Sequence, residues 1–267
     1  MKKRHLILLI IVFVFALVLI GIGGYLVYKN INILNSKNEY DNLASSYASG
    51  IDNTIPVEPA TDEAGVPIVD NRADNPVDFD SLAQKNSDIY SWLIIPDTNV
   101  NYPVLQSNVN DNFYLDHGID KNYRFAGSVY SQICNSKDYS DRVTVLYGHN
   151  MLDGSMFAHL HKFADKTFFD EHRYMYVYTP DSKLTYEIVS AFLYDDRHIM
   201  NSFDFSDDEV FQEYLESVLN PRSLTSNVRD GITLDINDKL LVLSTCPNYA
   251  SGRYLVQGVL INEEQTK

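Results

Sequence analysis

The chain passes through three regimes of apolar and polar patterning. From Leu6 to Val27 every residue is Leu, Ile, Val, Phe, Ala, Gly or Tyr. A helix of that length rises about 33 Å, enough to span a bilayer core. From 29 to about 50 the chain is polar, with Ile31, Leu34, Leu43 and Tyr47 at loosely helical spacing. From 51 to 76 no period survives, and Pro56, Pro59, Pro67 and Pro76 sit among Asp, Glu, Val and Ala. That composition predicts an extended tether.

From Val77 onward short apolar runs are separated by turn residues, the pattern of a folded domain. Asp80 is placed to cap a short helix carrying Leu82 and Ile89. WLIIP and VNYPVLQ predict strands around the turn Pro96–Asp97–Thr98–Asn99, and AGSVYS and RVTVLY predict two more. GSMFAHLHKF reads as a helix, with Met156, Leu160 and Phe163 on one side. YMYVYT and KLTYEIVSAFLY flank Pro180–Asp181–Ser182 as a hairpin. Ser206 with Glu209 fits a capping box, followed by the stripe Val210, Phe211, Tyr214, Leu215, Val218 and Leu219, which Asn220–Pro221 stops. ITLDI predicts a strand. Leu240–Leu243 and Tyr254–Ile261 predict two buried strands around a loop with Pro247, Asn248, Ser251 and Gly252. About eight short strands and few long helices predict a mainly β fold, a barrel rather than a parallel α/β sheet.

Charge narrows the partners. The formal charge is −15, from 21 Lys and Arg against 36 Asp and Glu. Such an acidic chain is a poor nucleic-acid binder, because that binding depends on neutralising phosphates. Lys2, Lys3 and Arg4 precede the apolar run and only Lys29 follows closely. The positive-inside rule then makes 1–5 a cytoplasmic tail, 6–28 a single transmembrane anchor, 29–76 an extracytoplasmic tether and 77–267 an extracytoplasmic folded domain. A cleaved signal peptide would have a shorter apolar region and a small-x-small site, which this run lacks.

The chemistry gathers at strand ends. Cys246 follows one late strand, Arg253 opens the next, and His149 follows RVTVLY beside Gly148. Each alone has an ordinary reading: a small buried thiol, an edge cation, a loop imidazole. Together they are a nucleophile, a cation that favours its thiolate, and a base. Ser244 and Thr245 are close enough to support them. The other cysteine, Cys134, is expected to be structural, with both thiols free. His159 and His161, two apart on a helix, point in different directions, so no metal site is expected.

The segments LSTC, YGHNMLDGSMFAHL and GRYLVQGVLI, with DFDSLAQKNSDIYSWLIIPDTNVNYPVLQ and YLDHGI ahead of them, resemble the signature segments of class B sortases, the cysteine transpeptidases of Gram-positive cell surfaces. The resemblance covers nearly the whole part after Val77. It implies an eight-stranded barrel with N-terminal helices and a helix inserted before the cysteine strand. By the same resemblance Cys246 is the nucleophile, His149 the acid or base and Arg253 the catalytic arginine, with no cofactor. The implied partners are surface proteins bearing a C-terminal sorting signal, cut after its threonine, and an amine of peptidoglycan or its lipid-linked precursor. Some class B members build pili instead. A cysteine peptidase and a non-catalytic surface-binding module are the alternatives from other classes.

Overall fold

The computed structural model describes residues 2–51, 74–248 and 251–267; residues 52–73, most of the proline-rich part of the expected tether, lie outside the described residues. Nine strands form one sheet: β1 Ile89–Ile94, β2 Asn101–Leu105, β3 Val129–Tyr130, β4 Val143–Tyr147, β5 Tyr174–Tyr178, β6 Ser182–Tyr194, β7 Ser226–Val228, β8 Leu240–Thr245 and β9 Arg253–Gln265. Their order is β5-β1-β2-β3-β4-β8-β9-β6-β7, and β5 also pairs with β6. That extra pairing closes eight strands into a barrel and removes their free edges. The ninth, β7, joins the far part of β6 at Ser190–Phe192, past the Lys183–Glu187 stretch that pairs with β5.

Two apolar cores explain the late strands. Leu241 and Leu243 of β8 point into the barrel, whereas Leu240 and Val242 point outward against Phe211, Leu215 and Val218 of the helix over Asp208–Leu219. Strands covered on both faces need apolar side chains at every position, so these runs show no alternation. Each fully buried Leu or Val contributes about 1.5–3 kcal/mol.

Five helices accompany the sheet: α1 Lys2–Tyr47, α2 Phe79–Lys85, α3 Lys166–Glu171, α4 Ile199–Ser202 and α5 Asp208–Leu219. The polar residues from 29 to 47 continue α1, which is one helix from the apolar run onward. Lys29, Asn32, Ile33, Ser36, Glu39, Tyr40, Leu43, Ala44 and Tyr47 are the buried or half-buried positions there, one helix face. Tyr40, Leu43 and Ala48 belong to the barrel's own core. The Tyr40 hydroxyl contacts the Gly127 carbonyl at 2.9 Å and Ser128 Oγ at 2.8 Å.

Several local expectations need correction. The cap of α5 is Asp207, not Ser206: its carboxylate accepts from the N–H groups of Glu209 and Val210, while the Ser206 hydroxyl donates to Asp204. Likewise Asp78, not Asp80, caps α2, and Ile89 opens β1 instead of closing a helix. ITLDI is no strand. Ile232, Leu234 and Ile236 alternate into the outer core, but that stretch has no strand pairing, and β7 forms just upstream. The helical stretch after Met156 is a 3-10 helix, Ala158–Ala164.

Candidate active site

Strand register builds the site. β4 runs parallel to β8 with Tyr147 beside Ser244, and β9 runs antiparallel to β8 with Tyr254 beside Thr245. His149, two residues past the end of β4, falls beside Cys246, one residue past the end of β8, and Arg253, the first residue of β9, falls on its other side. Arg253 in turn pairs with Tyr194 of β6. By alternation Cys246 shares a face with Leu240 and Val242, His149 with Val143 and Val145, and Arg253 with Leu255. All of these partners lie in the outer core under α5. His149, Cys246, Arg253, Ser244 and Thr245 line one cleft of about 320 Å3, together with Leu115, Tyr130, Tyr147, Tyr194, His198 and Ile199.

Small local devices hold the strand ends in place. The Thr245 hydroxyl donates to the Gly148 carbonyl at 2.8 Å, and the Gly148 N–H donates to the Ser244 carbonyl at 3.2 Å. Both Ser244 and Thr245 are buried. Gly148 leaves no room for a side chain, since a Cβ there would stand 2.7 Å from the Phe157 ring. Gly252 has φ +108, and a Cβ on it would lie 2.2 Å from the Tyr194 carbonyl oxygen. Only glycine makes that turn, which aims Arg253 into β9.

The His149 ring donates from Nε2 to the Leu115 carbonyl at 2.8 Å. A carbonyl only accepts, so Nε2 carries a hydrogen, and in the neutral ring Nδ1 is the basic nitrogen. Among the described residues no carboxylate pairs with this imidazole; a backbone oxygen orients it. Cys246 exposes its thiol. Its carbonyl accepts from Asn150 Nδ2 at 3.1 Å and from His161 Nε2 at 3.0 Å. Pro247 follows, so the residue after the thiol offers no N–H. Arg253 is exposed, with Nη1 donating to the Gly252 carbonyl at 3.0 Å.

The cleft wall is aromatic and incompletely satisfied. Burial pushes the Tyr130 hydroxyl up to about 12, against the opposing pull of the Arg253 charge. Burial also raises Tyr147 and Tyr194, so both phenols are neutral donors. The Tyr147 and Tyr194 hydroxyls and His198 Nδ1 are buried without a hydrogen-bond partner. Burial lowers His161, against the raising effect of its bond to Cys246.

Several lining groups carry no sequence signal of their own. The Leu115 carbonyl is backbone, Tyr194 ends β6 and His198 directly precedes α4. His159 bonds Asn99 and not the cleft. Cys134 is exposed, not part of the core, and burial of the thiol together with the Asp111 charge raises its pKa. Among the described residues no three His, Cys, Asp or Glu side chains gather as metal ligands. A thiol, an imidazole with one basic nitrogen and a guanidinium side by side form a set suited to acyl transfer.

The comparisons agree with this chemistry. The sequence model of the sortase domain matches residues 93–261. Sortase B of Listeria monocytogenes is 36% identical over 189 residues, 68% of this chain and 73% of the relative. The crystal structure of Clostridium perfringens sortase B superposes with a TM-score of 0.62 at 33% identity, over 69% of this chain and 100% of that one. A Bacillus anthracis protein described as similar to sortase B reaches a TM-score of 0.67 at 29% identity, over 88% of this chain and 98% of that one.

Proposed function

We propose that this chain, which belongs to the sortase family of cysteine transpeptidases, cuts a C-terminal sorting signal after its threonine and passes the acyl group to an amine of peptidoglycan or its lipid-linked precursor. The observation that carries the residue roles is the strand register, which sets positions 149, 246 and 253 side by side on one face. The Cys246 thiolate attacks the threonine carbonyl carbon, giving a tetrahedral oxyanion. As the C–N bond breaks, protonated His149 gives its Nδ1 proton to the leaving amine, and a thioester remains. The incoming amine then attacks the thioester and returns a proton to His149, and the thiolate leaves.

Oxyanion stabilisation falls to Arg253. The N–H after the nucleophile, a common donor in acyl-transfer enzymes, is missing at Pro247. A guanidinium offers parallel N–H groups in its place. The unpartnered hydroxyls of Tyr147 and Tyr194 suit peptide carbonyls or polar side chains of the signal. Helix α1 is long and apolar enough to cross a membrane. With Lys2, Lys3 and Arg4 on its near flank, the N-terminus is cytoplasmic and the barrel extracytoplasmic.

Mass spectrometry of the enzyme trapped with a sorting-signal peptide tests the assignment. An acyl adduct on Cys246 that resolves to an amide when an amine is added is the expected result. An adduct on Cys134, or release of free acid alone with amine present, would overturn it.

A further inference from the structure

Helix α1 sets where the barrel begins relative to its apolar span. Residues 7–28 are exposed and apolar, and Lys29 is the first charged residue after them. At this level the barrel makes its first contacts. Lys29 Nζ sits 4.2 Å from the Phe125 ring centroid, and the Phe125 N–H donates to Asn32 Oδ1 at 2.9 Å. Further along, Arg124 meets Glu39 at 3.5 Å and Tyr40 meets Gly127. Helical rise therefore places Phe125 about 2–6 Å beyond the last apolar residue, within the headgroup layer that flanks a bilayer core.

The loop that reaches this level is built to stay there. His117 bridges to Tyr123, the Gly118 N–H donates to the Asn122 carbonyl at 2.9 Å, and the Arg124 N–H donates to the Asp116 carbonyl at 2.9 Å. Tyr123 and Phe125 are 50% and 36% exposed despite this bracing. Aromatic side chains are the ones enriched where apolar and wet layers meet. The loop's own cations are already engaged: Lys121 pairs with Asp88 at 2.9 Å and Arg124 with Asp120 at 2.6 Å.

We infer that the loop from Gly118 to Phe125, with Tyr123 and Phe125 as its aromatic contacts, rests in the bilayer interface and fixes the barrel's orientation on the membrane. The inference depends on α1 crossing the bilayer, as proposed above. Because the cations are paired, the contact is aromatic and does not select anionic lipid. Leu115, whose carbonyl orients His149 and which lines the cleft, precedes this loop by three residues.

Depth-dependent fluorescence quenching tests this in the full chain, reconstituted in phosphatidylcholine vesicles with and without phosphatidylglycerol. Trp92, buried in the barrel, is the constant background. Three variants report separate positions: F15W in the apolar span, and F125W and Y123W in the loop. Lipids brominated near the headgroup should quench F125W and Y123W more than lipids brominated deep in the chains, with the reverse order for F15W. The loop signals should be equal in both lipid mixtures. Quenching of F15W with none at either loop position would overturn the inference while leaving α1 in the bilayer. No quenching in any variant would overturn both. Loop quenching that requires phosphatidylglycerol would overturn the aromatic basis of the contact.

Discussion

In the bodies of β4, β8 and β9 the side chains are dry on both faces: Val145, Leu241, Leu243 and Val256 are fully buried. At or just past the ends of the same strands, His149 is half-buried, Cys246 and Arg253 are exposed, and two nearby phenols lack partners. Backbone pairing fixes both regions, but only the bodies are also held by packing. The ends therefore combine a defined register with open solvent, which is what a reaction with two successive substrates requires. Chemistry and stability should then separate cleanly along a single strand.

The sharpest test of that separation is His149→Ala. Losing the proton donor should cut turnover by roughly 10²–10⁴-fold while the melting temperature stays near wild type, because the ring packs against no core. Near-normal turnover would transfer the acid–base role to another histidine. Arg253→Lys comes next. With no N–H at Pro247, loss of the guanidinium fork should cost about 3–4 kcal/mol in the acylation barrier, a few hundredfold in rate. Cys246 should still alkylate readily with small reagents; an alkylation profile moved to higher pH in step with lost turnover would mean that Arg253 acts by tuning the thiol.

The opposite side of the comparison is probed by Leu243→Ala, three residues before the thiol. It should lower unfolding stability by about 2–5 kcal/mol in denaturant titrations, with turnover per folded molecule little changed. A large fall in turnover of the folded fraction would show that body and end are coupled. The smallest effect is expected for Tyr147→Phe. Its hydroxyl has no partner in the fold, so stability should hold or rise slightly. KM for the peptide should increase a few-fold, about 1 kcal/mol for one lost hydrogen bond. A clear loss of stability instead would assign that hydroxyl to the fold.

Sequence singled out the three positions that the register brings together because each lies at or just past the end of an apolar strand, and strand ends are where register and exposure meet. The barrel was legible from the spacing of those runs. What escaped has physical causes. ITLDI alternates because one face is buried, and alternation reports burial without reporting a paired neighbour. The group orienting His149 is a backbone oxygen, which no residue type announces. The docked half of α1 buries Asn32, Ser36 and Tyr40 as well as Leu43, so a search for an apolar stripe passes over it. Asp207 outcompetes Ser206 as a cap because its charged oxygen serves two N–H groups at once.

Helix α1 also bears on how often the cleft meets its substrates. A flexible linker in place of 29–76 would let the domain wander over about 40 Å, the root-mean-square span of a chain that long. With α1 across the bilayer as proposed, a helix braced along the barrel would remove that freedom and confine the cleft to one layer above the lipid. For two reactants that are themselves held at the same membrane, a three-dimensional search becomes a planar one. The effective concentration each presents to the thiol then rises without any added contact, whereas a reactant detached from the membrane gains nothing.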